Sequence, residues 1–521
     1  MHRDNAAHLI LVLVAVVSAA VLTSAPAVVA SVAVPTSALA VVVSAAVPTS
    51  VLAVAANAAV PTNVPVVAVS VEVPTIVQEL NANSVCRQSL LRQDLQNMNC
   101  YELPKGISVY SVNGKKVVIN SEVPSWIVTN DIGEMILELF DGKQTISEIT
   151  DFCSNALGEE FRERIEKFCT LAVESKIFDS ASDAVRHRQI LTQVHLSLSE
   201  KCNLKCKYCY AEKRKEKEKK LSLEEYKKII DGVYSINPHC AFTLTGGEPL
   251  LNPLWKDIAL YIKEKGMETW LLSNGTLFSE QNIDDICRLF DHIKMSVDGS
   301  SAEIHERTRG NNYNKIEFAI ALLESRKKDY LLSMTVSKTN IDDIENAARK
   351  YGNRLSFAPL FPDERTSDIQ ISGLEYFNAL NKADKVVPLS YCEQALDSSR
   401  INRCYKCAMG EGEISISPTG DVYPCQLLHF QEFNAGNVHD APVEYIYKNS
   451  EILKNCRNLS VDKIEGCKTC AVKYICGGAC RARAFYECGD IKKNGDFCIY
   501  EKKSYIEGIA NLYDKNALSS I

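Results

Sequence analysis

Three cysteines crowd into "KCNLKCKYCYAEK": Cys202, Cys206 and Cys209. A tetrahedral zinc site asks for a fourth ligand close by. A Cys-x-x-Cys pair on its own reads as a redox couple. Neither accounts for the third cysteine. Each iron of a four-iron cubane takes one external ligand, so three thiolates from one loop leave an iron open to a substrate or cofactor. The loop therefore points to catalysis more than to structure.

Further thiols come late in the chain. "CYKCAMGEGEISISPTGDVYPC" holds Cys404, Cys407 and Cys425, "CKTCAVKYICGGAC" holds Cys467, Cys470, Cys476 and Cys480, and Cys498 follows. The 521 residues contain 20 cysteines, clustered at short spacings after long stretches of ordinary α/β sequence. That pattern favours clusters or metals in a reducing compartment, whereas disulfide frameworks belong to small secreted chains. The net charge of -7 and a pI near 5.8 give no sign of a nucleic-acid partner. "EKRKEKEKK" mixes both signs and reads as a solvated face.

The elements that must position the first loop lie between about 193 and 362. "VHLSLS", "AFTLTGG", "ETWLLSNG", "HIKMSVDG", "LLSMTVS" and "LSFAPLF" alternate with amphipathic helical runs such as "LSLEEYKKIIDGVY". The alternation predicts a parallel α/β sheet, open or closing towards a barrel. Sites in such folds form at the C-terminal ends of strands. The cysteine loop follows the first strand, Gly246-Gly247-Glu248-Pro249 the second and Ser273-Asn274-Gly275 the third, and Ser296 to Gly299 end the fourth.

Cys-x-x-x-Cys-x-Tyr-Cys at the end of the first strand, with Gly-Gly-Glu-Pro after the second, resembles the radical S-adenosylmethionine superfamily over residues 193–395. The resemblance implies a partial (β/α)6 TIM-like barrel. It also implies a catalytic 4Fe-4S cluster on Cys202, Cys206 and Cys209, with S-adenosyl-L-methionine chelating the open iron. Tyr208 would then lie near the adenine, and Gly246, Gly247, Glu248 and Pro249 near the methionyl end, the carboxylate of Glu248 helping to hold a cationic cofactor. Ser273, Asn274 and Ser296 would reach the ribose and methionyl ends, or else cap turns. "HERTRG" (His305 to Gly310) matches a further run of the family, with no role for His305 beyond loop structure.

Residues 396–521 form the second part of the resemblance, to the SPASM extension with its auxiliary 4Fe-4S clusters. The family's interleaving implies one cluster on Cys467, Cys470, Cys476 and Cys498. It implies another on Cys407, Cys425 and Cys480, with Cys404 as fourth ligand or as an ordinary thiol. Cys153, Cys169, Cys240 and Cys287 read as small core or surface residues. Cys488 fits the ligand spacing less well.

Upstream, residues 106–180 read as a small α+β unit. "ISVYSVNGKKVVIN" predicts a hairpin turning at Asn113-Gly114. "NDIGEMILELFDG" predicts a helix with Ile132, Met135, Ile136 and Leu139 on one face, ended by Asp141-Gly142. Thr145 would cap a second helix carrying Ile146, Ile149 and Phe152, and a third would lie near 159–175. The outline, with its "DGKQTISEI" run, resembles a winged helix and the PqqD-like peptide-recognition element of peptide-modifying enzymes.

Residues 79–105 read as a linker. Residues 1–78 are a low-complexity Ala/Val/Pro tract, with "AVPT" at 33, 46 and 59 and "EVPT" at 72, a period of thirteen. Such a tract could be an export signal, a membrane-associated tail or a fused peptide. The reading adopted is sequence from a misplaced start over repetitive DNA, and hence a dispensable segment on a cytoplasmic enzyme.

The expectation is an enzyme that modifies a precursor peptide through a 5′-deoxyadenosyl radical, forming a thioether or carbon–carbon cross-link. A flavodoxin or ferredoxin would serve as electron donor. Alternatives are a maturase of the formylglycine, haem or quinone type, and an iron–sulfur electron carrier or redox sensor. Gln426, standing where formylglycine maturases place an Asp base, argues against the first.

Overall fold

The structure, a computed structural model, describes residues 99–180, 190–209, 220–385 and 404–515. The repeats of residues 1–78 and the basic run from 210 to 219 lie outside the described residues. The described parts belong to one compact unit, Gln93–Ile521.

Its first portion contains β1 (Cys100–Glu102), β2 (Ile107–Val112), β3 (Lys115–Asn120), β4 (Ser125–Thr129), α1 (Asp131–Glu138), β5 (Asp141–Thr145), α2 (Ile146–Leu157) and α3 (Arg162–Glu174). Asn113 and Gly114 both take positive φ, 49° and 75°, as a two-residue hairpin turn requires. The hairpin gains a third strand, giving the antiparallel order β2-β3-β4. Period-two alternation along β3 then divides its side chains between two cores. Val118 packs with Ile136, Ile149, Ile165 and Phe168 of the helices. Val117 and Ile119 pack the other way, against Val472, Ile475, Ile506 and Ile509 of the C-terminal portion.

Three sequence expectations need correction here. The buried face of α1 is Gly133, Ile136 and Leu137, while Ile132 and Met135 are 36% and 65% exposed. Gly133 sets this rotation: a Cβ there would stand 1.8 Å from Thr129 Oγ1, so the helix presses its glycine onto β4. Asp141-Gly142 do not simply end that helix but open β5, which pairs with β1, inside the expected linker. On α2, Cys153 takes the buried place expected for Phe152, which is 59% exposed. Thr145 does cap α2, in a reciprocal capping box with Glu148.

All six expected strands form: β6 (Gln193–Ser199), β7 (Ala241–Gly246), β8 (Thr269–Ser273), β9 (His292–Ser296), β10 (Leu331–Val336) and β11 (Leu355–Pro359). They are parallel and sit in sequence order. Between and after them run α4 (Leu223–Ile236), α5 (Trp255–Glu264), α6 (Ile283–Leu289), α7 (Ala302–Arg309), α8 (Tyr313–Ser325), α9 (Ile344–Tyr351) and α10 (Gly373–Asp384). Val194, Leu196, Phe242, Leu244, Leu271, Ile293, Met295, Leu332 and Met334 share the core with those helices. The alternate residues, among them His195, Thr243, Lys294 and Ser296, line the opposite face.

The sheet does not stop at β6. The C-terminal portion adds β12 (Glu413–Ile416) parallel to it, then β13 (Asp421–Tyr423) and β14 (Gly436–Asn437), giving nine strands in the open order β11-β10-β9-β8-β7-β6-β12-β13-β14. Then come α11 (Val443–Asn449), α12 (Glu451–Arg457), α13 (Lys473–Cys476), α14 (Arg481–Cys488) and α15 (Phe497–Lys515). Among the described residues no helix is long and apolar enough to cross a membrane.

Candidate functional site

The cysteine loop leaves β6 at Ser199 and is clasped at once by the turn after β7. Gly247 N–H donates to Ser199 O at 2.6 Å and Glu248 N–H to Lys201 O at 2.9 Å. A Cβ on Gly246 would lie 2.3 Å from Ser199 O, and one on Gly247 2.3 Å from Lys201 O. The two glycines are thus demanded by backbone meeting backbone beneath the cysteines, ahead of any approach to a cofactor.

Glu248 is fully buried, and its carboxylate turns into the protein. It accepts from Ser273 Oγ at 2.9 Å, Asn274 N at 2.8 Å and Leu250 N at 3.3 Å. Burial pushes its pKa up to about 7. Glu248 therefore ties the β7 turn to the β8 turn, a different place from the cofactor-facing one expected. Ser273 caps its own turn through Gly275 N at 3.0 Å. Asn274 goes further: its Nδ2 donates to Asn203 Oδ1 at 2.9 Å and reaches Cys202 Sγ at 3.6 Å. Leu204 N–H also donates to that sulfur, at 3.4 Å. Pro249 is buried and opens a short 3-10 turn. Ser296 stands half-buried at the end of β9, beside Ser333.

Tyr208 points its hydroxyl at Asp298, and the Arg309 guanidinium lies 5.5 Å from its ring centroid. Arg309 pairs with the fully buried Asp298 at 3.1 Å and reaches Cys206 Sγ at 3.9 Å. Asp298 also accepts from Thr308 Oγ1 at 2.7 Å and Thr335 N at 3.1 Å. His305 holds the loop: Asp298 N–H donates to its Nδ1, so Nε2–H donates to Asn312 Oδ1 at 3.0 Å. The end of β9, Ser296 to Gly299, and the "HERTRG" run thus meet through Asp298 and Arg309, a pairing that no local sequence signal shows.

The later cysteines fall into two sets by mutual electrostatic influence. Cys407, Cys425 and Cys480 act on one another, and Cys480 opens onto a cavity of about 270 Å³ lined also by Phe361, Arg483 and Cys498. Cys470 acts on Cys467, and Cys467 acts on Cys476 and Cys498. The Cys404 thiol meets Lys406 O and lies against Gly477, the neighbour of Cys476. Cys488 turns its thiol to Asn494 O.

Among the described residues, no group of His, Cys, Asp or Glu is gathered tightly enough to hold a single metal ion. The donors fit iron–sulfur ligation instead, because each set offers only thiols. A buried guanidinium, that of Arg481, lies against the last set, and among the described residues no carboxylate forms an ion pair with it. Burial pushes Cys206 up to about 11 and Cys407 to about 12, so loading a metal must displace protons.

One further pair faces the inner side of the sheet. His195 Nε2 stands 3.4 Å from Glu413 Oε1. Burial lowers His195 to about 4 and raises Glu413 to about 7, and the Gln426 backbone N–H donates to Glu413. Neither residue carried a sequence signal.

Residues 196–351 match the Radical SAM superfamily, and residues 407–471 match the SPASM iron-sulfur cluster-binding domain. The chain is 27% identical over 333 residues to the AdoMet-dependent heme synthase of Methanosarcina barkeri, covering 57% of this chain and 93% of that protein. It is 25% identical over 336 residues to the antilisterial bacteriocin subtilosin biosynthesis protein AlbA of Bacillus subtilis, covering 60% and 72%. In fold it is similar to Streptococcus suis SuiB bound to S-adenosylmethionine, with a TM-score of 0.50 at 13% identity over 76% of this chain and 99% of that one. The family matches therefore give this chain a Radical SAM superfamily domain and a SPASM iron–sulfur cluster-binding domain, those of an enzyme that uses S-adenosylmethionine and 4Fe-4S clusters.

Proposed function

We propose that the enzyme modifies a ribosomally made precursor peptide, recognised by residues 100–180 and processed on the inner face of the sheet. The observation that carries this reading is the exposed edge of the first portion. Among the described residues no strand pairs with the outer edge of β2, and such an edge can take an extended peptide as one more strand. Val109, 40% exposed, pairs in register with Val118 and so lies on the sheet face that carries α1. Ile132 and Met135 of α1 are exposed as well. In this reading these apolar side chains line the groove of a PqqD-like element. AlbA, a bacteriocin biosynthesis protein, lends support.

In this reading Cys202, Cys206 and Cys209 hold the catalytic cluster. Cys407, Cys425 and Cys480 hold one auxiliary cluster, and Cys467, Cys470, Cys476 and Cys498 the other. Cys404 stays a free thiol, which leaves the first auxiliary site one thiol short. S-adenosylmethionine with a reduced cluster supplies one-electron chemistry strong enough to take hydrogen from an unactivated carbon. The protein contributes position. Asn274 and the Leu204 N–H steady Cys202, Arg309 steadies Cys206 and Tyr208, and the glycine clasp fixes where the loop leaves β6. The bond made is a thioether or a carbon–carbon link.

A second reading, a haem-forming enzyme, is favoured by the identity to AdoMet-dependent heme synthase. The discriminating experiment measures 5′-deoxyadenosine release with a cysteine-containing precursor peptide and, separately, with a tetrapyrrole carboxylate. Stimulation by the peptide, lost in Val109→Glu and Met135→Glu, supports the proposal. Stimulation by the tetrapyrrole alone, unaffected by those substitutions, overturns it.

A further inference from the structure

Two arginines at the start of α14 are buried, and they diverge. Arg483 fits between the rings of Phe361 and Phe497, 4.4 and 4.1 Å from their centroids. It donates to Pro359 O and Leu360 O at the end of β11 and has Glu487 as its acid, at 3.3 Å. Arg481 is 2% exposed and has no such acid among the described residues. It donates to Ile491 O at 3.1 Å, Lys493 O at 2.9 Å and Asn494 Oδ1 at 3.5 Å, all uncharged, and its Nε has no partner. Asn494 in turn meets Cys467 Sγ at 3.6 Å. The charge of Arg481 acts on the sulfurs of Cys467 and Cys498.

A buried charge without a counter-charge is strongly unfavourable. At the catalytic loop the matching guanidinium, Arg309, is neutralised by Asp298. Among the described residues, therefore, no carboxylate is ion-paired with the positive charge beside the second auxiliary thiol set, while one is paired with the charge beside the catalytic set. Local net charge and hydrogen bonds to sulfur are among the quantities that set the potential of an iron–sulfur group. Reduction adds negative charge, so an uncompensated cation favours the reduced form. Glu501, which acts on Cys476 and Cys498, pulls the other way.

We infer that Arg481 is the counter-charge of the site formed by Cys467, Cys470, Cys476 and Cys498, and that it raises the reduction potential of that site. The inference rests on the ligand assignment proposed above.

The test is an EPR-monitored redox titration at pH 8 of the full chain, loaded anaerobically, with iron counted on the same samples. In Arg481→Met one midpoint should move negative by at least a tenfold change in its equilibrium constant, about 59 mV for a one-electron couple. The other two should stay put, and Arg481→Lys should restore most of the shift. Unmoved midpoints at full iron content, or equal shifts in the Met and Lys variants, overturn the inference. Should Arg481→Met not take up its cluster, Glu501→Gln reads the same field from the opposite side. An upward shift of one midpoint supports the inference, and no shift overturns it. Wild-type iron short of three clusters would instead refute the ligand assignment, a separate failure.

Discussion

Gly247→Ala tests how the catalytic loop is held. Gly247 has an ordinary backbone conformation, so alanine meets no φ penalty there. What it meets is Lys201: the new Cβ would lie 2.3 Å from Lys201 O and 2.6 Å from Lys201 C. Backbone atoms cannot swing aside as a side-chain end would, so the β7 turn and the loop start must part by roughly 1 Å, at about 1–3 kcal/mol for overpacking. The residue displaced is the immediate neighbour of Cys202. A misplacement on that scale costs on the order of 100-fold in rate where reacting groups must be aligned. The expected result is a lowered thermal midpoint and a ~100-fold slower release of 5′-deoxyadenosine, with auxiliary iron retained. Gly266→Ala is the control. Gly266 has φ +73 and nothing within 4 Å of its added Cβ, so it loses only about 1–2 kcal/mol to left-handed strain and keeps its rate. A Gly247→Ala enzyme with full iron and wild-type cleavage would refute the clasp.

Asp298→Ala strands the buried Arg309 charge and should cost about 3–5 kcal/mol, read as a fall in thermal midpoint well beyond that of an exposed control such as Asp329→Ala. Burial raises the folded pKa of Glu248 to about 7, well above the ordinary glutamate range, so the fold binds its proton more tightly than the unfolded chain does. Stability from this group is full below about pH 4.5 and is lost as pH rises through 7, by roughly 3 kcal/mol. Thermal midpoints across that range should fall in the wild type relative to Glu248→Gln, and parallel profiles would contradict the burial argument. Truncation at residue 186 should lower solubility and auxiliary iron together, because it bares Val472, Ile475, Ile506 and Ile509 beside Cys470 and Cys476. A soluble truncated chain with full auxiliary iron would show that the first portion is not needed as a cover.

The sheet was legible because each strand has the period-two or fully apolar pattern of a buried strand and ends in a turn carrying small or chemistry-bearing residues. The thiol sets were legible from spacing. Harder were features made by closeness in space. Nothing local says that Glu248 turns inward to Ser273 and Asn274, or that Asp298 and Arg309 pair beside Tyr208. The rotation of α1 was misread because apolar spacing was counted and the demand of Gly133 for contact with β4 was not. The strand β12, which extends the sheet from far along the chain, lay inside a run that only its cysteines made conspicuous.

The most direct measurement of the account is the chain with Cys202, Cys206 and Cys209 all changed to Ala, loaded anaerobically, with iron and 5′-deoxyadenosine measured on one sample. The account predicts about two-thirds of wild-type iron, the share of two auxiliary clusters out of three, and no 5′-deoxyadenosine from S-adenosylmethionine under reduction. Cleavage persisting in that protein would contradict it.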